Sequence, residues 1–524
     1  MTPQTQPAPG TRSYRPLFAL GARFLAGYAL TLSRTHDWDS LAYAARVAGD
    51  PLLSEKYLST RFFHPHHLLY GAFGSLARAL LVPLGLGRDP LLPLQVADCV
   101  LGAGCVVLMG ALVQAATGRT ARAIFVAAAA GLSNAVWIYS TDVEVMIPAL
   151  FFTLAAAFLL LRARSSRGEV VAGAAMALAI LLHQLCVLPA AALVVALALQ
   201  RRRPAGRAAT PFALACVLPA LAFYLVVGVA AAGVRSSADF LDWSLTARGR
   251  SVFGTEPILT GIYQAARALA ESLVSLVPVG REAVSRPGPL TPGTVAARVA
   301  LWGVLAGFVL LAAAGVRGAV RSRPAGRVGA GLALGTLALA LFIAWFQPWN
   351  LDYWVYVIAY GWLLIGLHAR APRRGRTAAA VAAAFYLLAL GGVNLAFRAI
   401  PSRDPTNATY RAAVRFAQAR LRPPGSLLIV GPDHHLGPGL IAIPLFARIA
   451  VEVTPGGEDP ADAGRLREQL ARARAAGRRI YASAEALRSL ADPGPLPTDP
   501  RPVGVLEGDT VFIVSRVEPA AQLR

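Results

Sequence analysis

The sequence predicts a polytopic α-helical membrane protein of about eleven spans, followed by a small C-terminal α/β domain outside the membrane. Three observations predict it. The chain of 524 residues is 56% hydrophobic and only 15% charged, where a soluble chain carries roughly a quarter charged residues; its mean hydropathy is +0.53. Its apolar residues fall in runs of span length, with the arginines gathered in the short gaps between them. Beyond about residue 400 that pattern stops, and short apolar runs alternate with charged amphipathic segments. A single soluble enzyme, a DNA-binding protein and a disordered scaffold all fit this composition poorly.

A span needs roughly 20 apolar residues. The first covers 16–33 behind Arg12 and Arg15, and reads as an anchor because no small-residue cleavage site follows it. The next ten cover 91–116, 121–139, 145–161, 170–182, 185–199, 211–232, 295–316, 328–345, 353–367 and 378–397. With the N-terminus inside, the cytoplasmic loops are 118–122, 162–167, 200–207, 317–327 and 368–376, which are the arginine-dense ones. The stretch 67–87 is apolar enough for another span, but counting it would put most of those arginines outside, and Arg78 sits in its middle. It is therefore predicted as an amphipathic helix at the outer interface. The outer face then holds the loops 34–90, 140–144 and 233–293 and everything after Arg398.

The tail, 401–524, is read as a separate periplasmic domain. Helical spacing covers 410–421 and 461–476; short apolar runs at 426–430, 449–453, 479–482 and 510–514 read as strands. Alternating strand and helix predicts a small α/β unit. No Gly-rich phosphate fingerprint follows its first strand, so nothing points to a nucleotide there.

The net charge of +22 is no nucleic-acid signal, because 49 of the 50 basic residues are Arg, with Lys56 the exception, and they follow the loops. No basic face interleaved with stacking groups is present. Cys99, Cys105, Cys186 and Cys216 all lie inside apolar segments, without zinc-ligand spacing or a disulfide framework.

Chemistry is expected at the outer face, where seven of the eight histidines map: His36, His64, His66, His67, His183, His434 and His435. The first loop opens with His36-Asp37-Trp38-Asp39-Ser40, two carboxylates beside an aromatic at a membrane surface, a pattern for a general base or a metal site. The competing reading is a helix cap at Asp39 or Ser40. Further on, His64-Pro65-His66-His67 reads either as imidazole ligands or as a helix start. Asp142 and Glu144 stand in a turn between two spans, where acids are costly unless used or solvated. His183-Gln184 breaks an apolar hairpin, and Asp352 lies in an aromatic-rich boundary from Trp345 to Trp354.

The order of these pieces resembles the GT-C glycosyltransferases, in particular the protein O-mannosyltransferase-like membrane proteins and their bacterial relatives. The resemblance runs over roughly residues 15–400. It implies that Asp39 matches the first-loop catalytic acid, with Asp37 as the competing candidate. His64-Pro65 would match the family's His-Pro helix start, and Asp142 and Glu144 its second-loop acidic site. Two departures leave sugar and acceptor open: His66 and His67 follow the His-Pro step, and Glu144-Val145-Met146 replaces the family's Glu-Val-Tyr.

Such a transferase moves a sugar from a polyprenyl-phosphate carrier to a glycan, lipid or protein acceptor on the outer face of a bacterial cytoplasmic membrane. Asp39 would take the acceptor's proton. His64, His66, His183, Asp142, Glu144 and Asp352 would bind substrate, and Arg61, Arg235, Arg248 or Arg250 would pair with the leaving phosphate. No cofactor is expected, and a divalent metal is not favoured. The opposing classes are a transporter or flippase, which calls for inverted repeats and mid-membrane ionisable groups, and a non-catalytic scaffold. Reporter fusions test the topology: those placed after Arg376 and after Pro424 are expected to report opposite sides of the membrane, and the same side for both would break the ladder.

Overall fold

The computed structural model describes residues 13–49, 63–87, 89–163, 165–200, 205–246, 258–275, 292–321, 327–368, 376–422, 424–431, 436, 438–454, 460–489 and 501–515. The chain divides into two compact units. The first comprises Met1–Ser33, Phe63–Leu86 and Leu92–Arg403; the second comprises Arg34–Phe62, Gly87–Leu91 and Asp404–Arg524. The opening of the first outer loop thus groups with the tail.

The helices run in chain order as α1 (Arg15–Leu30), α2 (Trp38–Ala48), α3 (Tyr70–Leu81), α4 (Leu92–Thr117), α5 (Thr120–Leu132), α6 (Asn134–Thr141) and α7 (Met146–Arg162). They continue as α8 (Ser166–Leu182), α9 (Val187–Gln200), α10 (Ala205–Ala230), α11 (Ser237–Leu241), α12 (Ile258–Leu273), α13 (Pro292–Arg321) and α14 (Arg327–Phe346). Then come α15 (Leu351–His368), α16 (Arg376–Asn394), α17 (Ile400–Ser402), α18 (Arg411–Arg420), α19 (Gly439–Ala442), α20 (Pro460–Ala475) and α21 (Ala484–Ser489).

Every stretch predicted to span is helical in the first unit. By length and composition, three described helices are able to cross a membrane: Leu92–Thr117, Thr210–Ala230 and Thr377–Ser402. The bent pair α5–α6 adds a fourth if it is one span. The stretch 67–87, predicted as an interfacial helix, holds α3, whose 12 residues reach about 18 Å. It buries Tyr70, Gly71, Gly74 and Ala77 on one face and leaves Leu76 and Leu80 exposed on the other.

At the centre of this unit, α4 packs against α1, α5 and α7. It achieves this with small residues rather than an amphipathic stripe, as helices in lipid do. A methyl added at Gly110 would lie 2.6 Å from Leu17 of α1 and 3.3 Å from Ala127 of α5. Tyr28, fully buried near the end of α1, donates from its hydroxyl to the Gly131 carbonyl at 2.9 Å, fixing α1 against the end of α5.

In the second unit, β1 (Leu427–Val430), β2 (Ala450–Val453), β3 (Ile480–Ser483), β4 (Arg501–Leu506) and β5 (Asp509–Ser515) form a sheet of order β2-β1-β3-β5-β4. The first three strands are parallel, and β5 runs antiparallel to both β3 and β4. Leu427, Ile429, Ile480 and Ala482 pack under Leu466 and Leu470 of α20. Within the same unit α2 packs on α19. The strand β4 went unpredicted because Pro502 and Gly504 disguise it as a loop; it is an edge strand closed by the two-residue Glu507-Gly508 turn, both residues at positive φ.

Gly110→Val is expected to overpack the α1–α4–α5 contact and cost about 1–3 kcal/mol. The measurement is the unfolding midpoint in detergent, and an unchanged midpoint would contradict the close packing.

Candidate functional site

The acidic turn is built by a broken helix. The apolar run 121–139 reads as one continuous span, but the structure bends it by 64° between α5 and α6. Ser133, with extended backbone, sits at the break. The backbone and side-chain groups around the bend are met by other helices. Tyr28 supplies Gly131, Asn394 donates to the Leu132 carbonyl at 2.7 Å, and Trp362 donates to the Ser133 hydroxyl at 3.0 Å.

The redirected α6 delivers Tyr139, Asp142 and Glu144. The Tyr139 hydroxyl donates to the carboxylate of Asp352, in the first turn of α15. Asp142 ends α6 and accepts the Val143 N–H at 2.8 Å; Glu144 accepts the Val145 N–H at 2.8 Å. Both are buried, at 6% and 2% exposure. Beneath them lies an acid that sequence reading missed: Asp98 of α4 is fully buried, and its Oδ2 accepts the Glu144 N–H at 3.0 Å. The signal was available, since Asp98 interrupts the apolar run 91–116 and an acid inside a span is costly unless used.

Four histidines gather within the same unit as this turn. His64, His66 and His67 are half-buried, and His183 is buried in the turn between α8 and α9. The His67 ring stacks on His64 at 5.0 Å and on His183 at 5.1 Å between centroids. His183 also meets Tyr353 and Tyr356 of α15. The expected helix start at His64-Pro65 is corrected: these residues form a tight hairpin, with His67 N–H donating to the His64 carbonyl, and the helix begins only at Tyr70. The physical reason is visible at Pro65 and His66. The Leu69 N–H, which a helix would give to the Pro65 carbonyl, donates instead to the Leu181 carbonyl at 2.9 Å, while the Tyr224 hydroxyl and the Gln184 N–H hold the Pro65 and His66 carbonyls at 2.6 and 3.0 Å. His64 Nδ1 accepts the His66 N–H at 3.1 Å, which places the proton of the neutral ring on Nε2.

The two first-loop acids belong to the second unit. Asp37 is the N-cap of α2, its carboxylate accepting the Ser40 N–H at 2.8 Å, so the cap falls on Asp37 and not on Asp39 or Ser40. Asp39, in the first turn, keeps its side chain open to solvent. Crowding by surrounding protein nonetheless pushes its carboxyl above the usual carboxylate range, while the Arg46 guanidinium pulls it back. Arg46 lies over the Tyr43 ring at 5.7 Å, which gives α2 a stripe of Asp39, Tyr43 and Arg46. Arg235 is exposed and its backbone N–H bonds Asp239. Arg61, Arg248, Arg250, His434 and His435 lie outside the described residues.

The histidines carry a pH signature. Burial pushes His183 down to about 3, with the neighbouring His66 adding to the effect; His66 is itself lowered by burial and partly restored by its hydrogen bond to the Leu245 backbone. The unfolded chain therefore takes up a proton at His183 below about pH 6.5 that the folded chain refuses. Stability is expected to fall as pH drops from about 6.5 toward 4, by at most about 1.4 kcal/mol per pH unit for one such group. His183→Gln should flatten that slope in unfolding measured between pH 7 and 5, and an unaltered slope would count against a buried neutral His183.

No protein-family profile and no curated protein matches the chain. Solved structures do. ArnT from Cupriavidus metallidurans in the apo state is 13% identical, with 95% of this chain and 97% of that one covered at a TM-score of 0.62. The same protein bound to undecaprenyl phosphate is 15% identical, with 95% and 98% covered at 0.58. The arabinofuranosyltransferase AftD from Mycobacteria is 17% identical, with 96% of this chain but 40% of that one covered at 0.50. At these identities the likeness is one of fold, which this chain shares with ArnT and AftD.

Proposed function

We propose that the chain is an eleven-span membrane glycosyltransferase that moves a sugar from a polyprenyl-phosphate carrier to an acceptor at the outer face of a bacterial cytoplasmic membrane, with 401–524 as a periplasmic domain. The observation that carries the reading is a groove in the first unit. A cavity of about 360 Å³ opens between α8, α9 and α10, lined by Ile180, Val187, Ala190, Val194, Val217 and Leu221. One end of it is polar, formed by Gln184, Tyr224 and Ser244. These same residues are tied to the histidine hairpin: Tyr224 to Pro65, Gln184 to His66, and Gln184 to the Ser244 carbonyl at 3.3 Å. An apolar trough leading to imidazoles suits an isoprenoid tail with its phosphate at the rim. The likeness to a fold whose member ArnT binds undecaprenyl phosphate supports this donor class. The order of the loop motifs supports the O-mannosyltransferase-like branch.

In this reading His64, His66 and His183 line the donor end, and Asp142, Glu144 and Asp352 hold hydroxyls of sugar or acceptor. Asp39 is the general base. It removes the acceptor's proton as the oxygen attacks the anomeric carbon, while the bond from that carbon to the carrier phosphate breaks. Asp37 suits the role less, because its carboxylate already serves the cap of α2. Arg235, or the arginines Arg61, Arg248 and Arg250, would meet the departing phosphate. No step calls for a metal ion.

The test is sugar transfer by the purified protein from a panel of polyprenyl-phosphate sugars. Asp39→Asn is expected to lower kcat by about 100- to 10,000-fold without unfolding the protein, and chelation by EDTA to leave the rate within about twofold. Full activity in folded Asp39→Asn would remove Asp39 as the base, and loss of activity in EDTA that a divalent ion restores would replace the metal-free reading.

A further inference from the structure

One stripe of α4 holds the acidic turn in place. Gln95, Asp98 and Gly102 lie at helical spacing on that helix and all face the segment 140–144. The Gln95 amide donates to the Ser33 carbonyl at 2.8 Å and to the Thr141 carbonyl at 3.0 Å. Ser33 N–H donates to the Thr141 carbonyl at 2.9 Å, so the exit of α1 and the end of α6 are joined directly and through Gln95. Asp98 takes the Glu144 N–H, and Gly102 lets the helices close: a methyl there would lie 2.1 Å from the Ser140 hydroxyl.

Asp98 stands apart from an ordinary structural residue. It is fully buried, and its second carboxylate oxygen, Oδ1, has no hydrogen-bond partner among the described residues. A buried acceptor left unmet costs free energy, and a serine or an apolar residue would avoid that cost. It stands beside Asp142 and Glu144, two further buried acids.

We infer that Asp98 is a positioning residue for the acidic site: by accepting the Glu144 N–H it fixes where the Asp142–Glu144 turn presents its carboxylates to substrate. Gln95 does the same for the turn's first residue. The role rests on the glycosyltransferase reading for its consequence in catalysis, but not for its structural content. Asp98 does not touch substrate; it acts through the backbone of Glu144.

The experiment compares Asp98→Ala with Asp98→Asn, which keeps an oxygen able to accept the same N–H, by two readouts on the full-length folded protein. In hydrogen exchange, Asp98→Ala is expected to lose protection over 141–146 by about fivefold or more, the worth of one hydrogen bond, and Asp98→Asn to keep most of it. In transfer from a polyprenyl-phosphate sugar, Asp98→Ala is expected to lower kcat by about 10- to 100-fold, as for a misplaced site. KM for the donor should stay within about twofold, and Asp98→Asn should recover most of kcat. If Asp98→Ala fails to fold, Asp98→Ser, too short to reach the amide, takes its place. Wild-type protection and kcat in the truncated variant would overturn the inference. So would a loss of kcat with protection intact, or an Asp98→Asn as impaired as Asp98→Ala in both readouts. If the wild-type protein transfers no sugar from any carrier, the glycosyltransferase reading fails, and the exchange result alone then decides whether Asp98 holds the turn.

Discussion

The break at Ser133 is the constraint on which the rest of the first unit depends. Inside a bilayer every backbone polar group must find a partner within the protein, and a bend of 64° frees several at once. Here the partners come from distant parts of the chain. Tyr28 of α1 serves Gly131, Asn394 at the end of α16 serves Leu132, and Trp362 of α15 holds the Ser133 hydroxyl. Asn134, the first residue past the break, donates to the Glu271 carbonyl of α12 at 2.7 Å. Four other helices are therefore pinned to one point, and none of them can shift without exposing an unmet group at the bend.

That point fixes the site geometry. A straight continuation of α5 would carry Tyr139, Asp142 and Glu144 along the helix axis. Bent, α6 lays Tyr139 against Asp352 of α15 and brings Glu144 over Asp98 of α4. Tyr353 and Tyr356, on the same end of α15 as Asp352, then meet His183. The acidic turn and the histidine cluster are thus coupled through a single helix. This is why residues far apart in sequence form one polar region of the first unit.

Much of this architecture was legible in the sequence, and the gaps have physical causes. The eleven stretches that are helical were readable because each is a long apolar run between turn residues. The strands β1, β2, β3 and β5 were readable because buried strands are short apolar runs. The bend was not: Ser133 is one small polar residue in an apolar stretch, and its partners Tyr28, Trp362 and Asn394 lie up to hundreds of positions away. The hairpin at His64–His67 was misread because a His-Pro step is compatible with a helix start, and what diverts it, the bond from the Leu69 N–H to the Leu181 carbonyl, is tertiary. Asp142, Glu144, His183 and Asp352 were picked out as polar residues at span boundaries, and His64 and His66 as histidines of the first outer loop. Asp98 and Gln95 were passed over because they lie a turn or two inside a span rather than at its edge.

The distribution of buried polar groups also bears on what kind of machine this is. Buried Ser33 follows α1, Gln95 and Asp98 open α4, Thr141 and Asp142 end α6, His183 follows α8 and Asn394 ends α16, with half-buried Asp352 opening α15; buried Gln114 near the end of α4 and Glu169 in the first turn of α8 lie at the other ends, and Thr153 lies midway along α7. In a ladder of alternating helices the first set of ends falls on one side, and the arginines Arg162, Arg167 and Arg317 fall at the opposite ends. A transporter needs ionisable groups near the midplane, reachable from both faces in turn. A transferase that meets a lipid-borne donor and its acceptor on one face needs them at one end only, with an apolar wall below. Most of the buried polar groups, though not Gln114, Thr153 and Glu169, gather at the first set of ends, and the groove between α8, α9 and α10 is lined mainly by apolar side chains.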